Sequence, residues 1–87
     1  MSIKKDIDKV ASERDLIFCY QKVAEELFEC GEIVMKQITK PEGSEERLSH
    51  LIEEIGDIAL NIEILVSKLN IGDEVVKRVK SKLKTLL

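Results

Sequence analysis

The side chains of this protein that could act together chemically are its carboxylates, which fall at helical spacing in two short runs. The first run is Glu25-Glu26-Leu27-Phe28-Glu29, followed by Glu32; the second is Glu53-Glu54-Ile55-Gly56-Asp57. Residues three or four apart on a helix are neighbours, which pairs Glu26 with Glu29 and Glu54 with Asp57. Like charges so placed repel by roughly 0.3 kcal/mol per pair unless something positive lies between them. If the two pairs face each other across one short loop, they present four hard oxygen donors. That donor set suits Mg²⁺ or Mn²⁺ rather than zinc.

An ordinary solvated face is the competing reading of the first run. Glu25, Glu29 and Glu32 lie with Lys22 and Lys36 opposite the apolar stripe of their helix, and Lys22–Glu26 and Glu32–Lys36 are supporting i, i+4 pairs. Glu26 is the exception, because it borders the apolar side near Cys19 and Cys30. The second run is more selective. His50, Glu54, Asp57 and Asn61 form one polar ribbon at i, i+4, i+7 and i+11, whereas Glu53 and Glu63 point elsewhere. Gly56 sits inside that ribbon, where a mid-helix glycine costs about 1 kcal/mol relative to alanine. It marks close approach by a neighbouring backbone or a ligand, or simple helix crowding; Gly31 does the same in the preceding helix.

Four helical segments must position these groups. The first spans about residues 2–10, with Ile3, Ile7 and Val10 on one face. Ser12 is read as the cap of the second, with Asp15 three residues on. This second helix runs to about Ile38 behind a stripe of Leu16, Tyr20, Val23, Leu27, Cys30 and Val34. Lys40-Pro41-Glu42-Gly43-Ser44 is a loop, and Ser44 is read as the cap of the third helix. That helix carries Leu48, Leu51, Ile55, Ile58, Ile62, Leu65 and Leu69, a heptad seam of the kind used in bundles and coiled coils. Gly72 is read as its terminator and Asp73 as the next cap. The fourth helix, about 74–86, is expected to pack through Val75, Val76, Val79, Leu83 and Leu86.

Composition agrees with these elements. The 87 residues are 44% hydrophobic but only 3% aromatic, with one Pro and four Gly. This describes one aliphatic domain, residues 1–87, and leaves little turn material for a many-stranded fold. The expected class is all-α, an antiparallel helical bundle whose marginal core is completed by a homo-oligomer, a dimer or tetramer. The net charge of −3 disfavours nucleic acid as a partner. The charge is also segregated: residues 21–63 hold eleven acids against four bases, and residues 64–87 hold two acids against six bases. Cys19 and Cys30 lack metal-ligand spacing and are too far apart along one helix to bond, so they read as reduced thiols. No signal-like start and no long apolar run are seen, so the expected location is cytoplasmic, away from the membrane.

Glu-Glu-x-x-Glu on one helix and Glu-x-x-Asp on the next, the latter within Glu-Glu-Ile-Gly-Asp, resembles the MazG-like all-α nucleoside triphosphate pyrophosphohydrolases. The likeness covers roughly residues 13–87 and includes Glu-Glu-Leu-Phe-Glu-Cys-Gly-Glu and the Lys-rich last helix. It implies hydrolysis of a (deoxy)nucleoside triphosphate at the α-phosphorus, giving the monophosphate and pyrophosphate. By the match, Glu26, Glu29, Glu54 and Asp57 would bind Mg²⁺, with Mn²⁺ as a substitute. Glu25 would be an outer-sphere group or a base orienting the water, placing Glu25 and Glu26 at the catalytic centre. Asn61 and the face of Lys77, Lys80 and Lys84 become candidates for the substrate. Phosphoribosyl-ATP pyrophosphatase has similar acidic motifs, so its substrate is an alternative. From a different class, the heptad seam alone would serve a non-catalytic helical interaction module.

Overall fold

In a computed structural model, residues 3–87 form four helices, and no strand occurs among these described residues. They are α1 (Ile3–Glu13), α2 (Leu16–Thr39), α3 (Ser44–Leu69) and α4 (Gly72–Leu86). The expected first residue of the first helix, Ser2, lies outside the described residues. No helix among the described residues is long and apolar enough to cross a membrane.

The α1–α2 boundary falls later than the sequence suggested. Asp15, not Ser12, is the N-cap of α2: it takes an extended backbone and its Oδ1 accepts from the Phe18 N–H at 2.9 Å. Ser12 stays inside α1, where its hydroxyl donates to the Lys9 carbonyl. Tertiary packing decides between the two caps. Continuing α1 to Glu13 lets Ala11 meet Cys19 and Ile64 in the main core cluster, flanked by Ile7, Val10 and Leu65. A polar tie reinforces this contact: the Ser67 hydroxyl donates to Asp8 Oδ1 at 2.7 Å, and Lys4 donates to Oδ2 at 2.8 Å. These two bonds, that from Lys4 the stronger, hold the Asp8 carboxyl below its ordinary pKa.

The other two boundaries also move. Ser44 is the first residue of α3 rather than its cap, because Gly43 takes the left-handed conformation (φ 83°) and makes the turn itself. Arg47 closes that loop by donating to Gln37 Oε1 at 2.8 Å and to the carbonyls of Lys36, Lys40 and Glu42. At the far end, Asn70 and not Gly72 terminates α3. It is left-handed (φ 55°), and the Ile71 N–H returns to the Val66 carbonyl, a Schellman closure. Asn tolerates this region better than most residues. Gly72 and Asp73 instead lie inside α4.

Contacts along α2 and α3 pair the start of one with the end of the other. Cys19 meets Ile64, Glu26 and Glu29 meet Glu54, and Gln37 meets Arg47. The two helices therefore run antiparallel. The line of α2 that meets α3 is Cys19, Glu26 and Ile33, one residue every two turns. The expected stripe of Leu16, Tyr20, Val23, Leu27, Cys30 and Val34 is not that line. Leu16, Tyr20, Leu27 and Val34 are exposed. One neighbouring helix covers only part of a helix's circumference, and here it covers the line that holds Glu26. The expected packing of α4 is likewise unmet within the chain, since Val75, Val76, Val79, Leu83 and Leu86 are all exposed.

The cap assignment is testable by chemical denaturation. Asp15→Ala should cost about 1 kcal/mol of stability, the usual worth of an N-cap, whereas Ser12→Ala should stay within about 0.5 kcal/mol. Equal costs would return the cap to Ser12.

Candidate functional site

The α2–α3 seam reserves two of its positions for carboxylates. Glu26 is 9% exposed and Glu54 8%, and each keeps one buried oxygen, Oε2, with no hydrogen-bond partner among the described residues. Glu29, one turn beyond Glu26 and exposed, completes the group: one carboxylate oxygen from each of the three lies within 4.8 Å of the others. Helical spacing puts Glu26 and Glu29 on adjacent turns of α2, and the antiparallel register brings Glu54 opposite them.

This arrangement is electrostatically unfavourable by itself. Burial raises the pKa of Glu54 above its ordinary value, and the charges of Glu29 and Glu26 push it the same way. His50, whose Nε2 is 3.4 Å from Glu54 Oε1, pulls in the opposite direction. Buried polar groups in proteins are ordinarily paired, so two unpartnered carboxylate oxygens on neighbouring buried side chains call for a counter-charge. Three all-oxygen donors fit a hard divalent cation such as Mg²⁺ or Mn²⁺, and leave coordination positions for water or a ligand's oxygens.

The remaining predicted residues distribute around this group. Glu25 is exposed and accepts from Lys22 at 3.0 Å, outside the three-carboxylate set. That bond is the main reason the Lys22 pKa is raised, with Glu26 and Glu29 adding smaller attractions. Asp57 is exposed one turn past Glu54 and also falls outside the set. Asn61 continues the ribbon: its Nδ2 donates to the Asp57 carbonyl at 2.9 Å. Gly56 meets no neighbour, because a Cβ placed there would find nothing within 4 Å. Lys77, Lys80 and Lys84 are exposed on α4 and are not brought to the carboxylates. Their helix joins α3 beyond Leu69, about 22 Å of helix from Glu54.

Sequence reasoning missed Arg14. It lies in the α1–α2 junction, half-buried, with its guanidinium over the Phe18 ring at 5.1 Å and donating to Asn61 Oδ1 at 3.5 Å. This sets a cation at the end of the acidic ribbon, two turns from Glu54. The Arg14–Phe18 spacing was visible, but placing the helix break at Ser12 hid its meaning. Comparison with models of known protein families, with curated proteins and with solved structures finds no match to this chain.

The raised Glu54 pKa sets a direction for pH. A carboxyl whose folded pKa exceeds its unfolded one stabilises the fold below the unfolded value and loses that contribution as pH rises through the folded value. In chelator-treated protein, wild type should therefore gain stability relative to Glu54→Gln as pH falls through this window. Asp8 titrates equally in both proteins and cancels. Parallel stability–pH curves would show that Glu54 does not titrate abnormally.

Proposed function

We propose that this chain is a metal-dependent nucleoside triphosphate pyrophosphohydrolase of the MazG-like, all-α bundle type, acting as a homo-oligomer. The observation that carries the reading is the convergence of Glu26, Glu29 and Glu54 with two buried, unpartnered oxygens among them. Such a group stabilises nothing by itself, and a cation with a phosphate ligand is the chemistry that would use it. The ordered pair of acidic motifs supports the same reading.

Mg²⁺ bound there would neutralise the polyphosphate and lower the pKa of water. Glu26 and Glu54 hold the buried side of the site, fixed by the two helices, while Glu29 holds the side open to solvent. Asp57, exposed one turn along the ribbon, is the further ligand that the acidic motif implies. In the reaction a water oxygen bonds to the α-phosphorus as the bond to the bridging oxygen breaks. Pyrophosphate leaves with the bonding electrons, and the water's proton passes to a carboxylate. Glu25, held by Lys22 at the rim, is the outer-sphere candidate for orienting that water. Arg14 lies at the Asn61 end, where its free N–H groups can meet phosphate oxygens or the sugar. Guanidinium suits this task because its fork of donors matches phosphate geometry.

Purified protein should release pyrophosphate from at least one member of a nucleotide panel with Mg²⁺, and Mg²⁺ alone should raise its melting temperature. Glu26→Gln and Glu54→Gln should each lower turnover by about 100-fold or more, the scale seen when a preorganised electrostatic group is removed. Both should also abolish the Mg²⁺-dependent stabilisation while the fold survives. Arg14→Ala should raise KM more than it lowers kcat, by about tenfold for a loss near 1.4 kcal/mol. No turnover on any nucleotide, together with a melting temperature indifferent to Mg²⁺ and Mn²⁺, would leave the interaction-module reading in its place.

A further inference from the structure

We propose that α4 docks on the surface of a bilayer that carries anionic phospholipid, with its apolar stripe among the acyl chains and its bases at the level of the phosphates. Its 15 residues run about 22 Å. The helix meets α3 at its first turn, where Gly72 comes close to Val66, and all of its residues are exposed. Val76, Val79, Leu83 and Leu86 are each more than half exposed. Together with Val75 they fall within about 100° of arc, one continuous aliphatic stripe along the helix.

Charge complementarity selects what the stripe meets. From Val75 to Leu87 the chain has five bases, Lys77, Arg78, Lys80, Lys82 and Lys84, and no acid. None of the five forms an ion pair among the described residues. The helix dipole accounts for little, because it acts over the last turn and only Lys84 lies there. Their angular order points to lipid. Lys80 and Lys82 stand about 40° and 20° beyond the two edges of the stripe, with Lys77 and Lys84 further round one side and Arg78 round the other. Ser81, Thr85 and Glu74 take the pole opposite the stripe. A helix lying flat at an interface uses its long cations in this way: their stems cover the apolar layer and their charges reach phosphate.

An interfacial helix does not span. The lack of a long apolar run, which led to an expected location away from the membrane, bears on crossing and not on surface binding. The remainder of the chain is acidic: all 17 acids lie in residues 1–74, against nine bases. The joint at Gly72 and a screening length of about 8 Å at physiological salt let α4 act apart from that body, which is turned to water. An acidic protein groove is the rival occupant. Protein interfaces draw their affinity from large anchors such as Trp and Tyr, whereas this stripe holds three valines and two leucines. An acyl layer asks only for aliphatic area.

Vesicle flotation of the full chain tests the docking, using phosphatidylcholine alone and an equal mixture of phosphatidylcholine and phosphatidylglycerol. Wild type should float with the anionic vesicles only and be released as salt rises. Reversing both flanks, Lys80→Glu with Lys82→Glu, should lower vesicle affinity by about tenfold or more. If that variant fails to fold, fluorescence decides, because the chain has no Trp of its own. The emission of Leu83→Trp should move to the blue on adding anionic vesicles, and that of Ser81→Trp should not. No flotation of wild type, equal flotation with neutral vesicles, or a folded double variant that binds as wild type would each overturn the docking. So would a Leu83→Trp emission that ignores vesicles or is already blue without them, the mark of a stripe buried against protein. A blue shift with polyglutamate but not with vesicles would give the face to an acidic protein instead. None of these readouts needs nucleotide or metal, so docking and hydrolysis fail separately.

Discussion

Two carboxylates occupy seam positions that a helix hairpin would otherwise fill with aliphatic side chains, and much of this protein follows from that placement. Glu26 stands in the same line as Cys19 and Ile33, and Glu54 faces it from α3. Taking acids out of water beside one another is unfavourable, and the raised Glu54 pKa records the strain. A rotation of α2 by about one residue would relieve it by turning Leu27 and Val34 inward and Glu26 out to water. The hairpin holds the other arrangement. In the proposed enzyme two separate partners compensate, a cation for the acids and a second copy for the stripe.

The two compensations reinforce each other. In the proposed homo-oligomer, packing the stripe against a second copy would fix the rotation of α2 and α3 and so keep Glu26 and Glu54 in the seam. A divalent cation between the acids favours the same rotation from the other side. Each event stabilises the geometry the other needs, so metal binding and assembly should be positively coupled through rotation of the helices. Arg14 belongs to this arrangement too, because its position depends on the junction that packs α1 onto α3 through Ala11 and Ile64.

Much of this was legible in the sequence, but unevenly. Helix number and class followed from composition and periodicity, and the neighbouring of Glu26 and Glu29 followed from i, i+3 spacing. The boundaries were harder, because Ser12 and Asp15 are both good caps and only the docking of Ala11 beside Cys19 and Ile64 separates them. Asn70 and Gly72 posed the same choice at the end of α3. The rotation of α2 was not legible. A helical wheel shows that Leu16, Tyr20, Leu27 and Val34 form a stripe, yet it cannot say whether the stripe meets a helix of the same chain or of another. For the same reason the wheel alone left Glu29 between a solvated face and a partnership with Glu26, and the register sets it beside Glu54.

Charge gives the proposed chemistry its order. An acidic cluster repels a triphosphate, and the permanently charged bases offer little relief: Lys22 is already bonded to Glu25, and Arg14 stands two turns of α3 away at Asn61. The basic face of α4 lies away from the carboxylates within one chain. The carboxylates therefore have to be neutralised before a polyphosphate can approach, and affinity for nucleotide should depend steeply on the cation. Arg14 is different, since its charge is permanent and its distance from the acids leaves it free for the part of the ligand that the metal does not reach. In the proposed site recognition divides by position: the carboxylate end of the ribbon would take phosphate through a cation, and the Arg14 end what is attached to it.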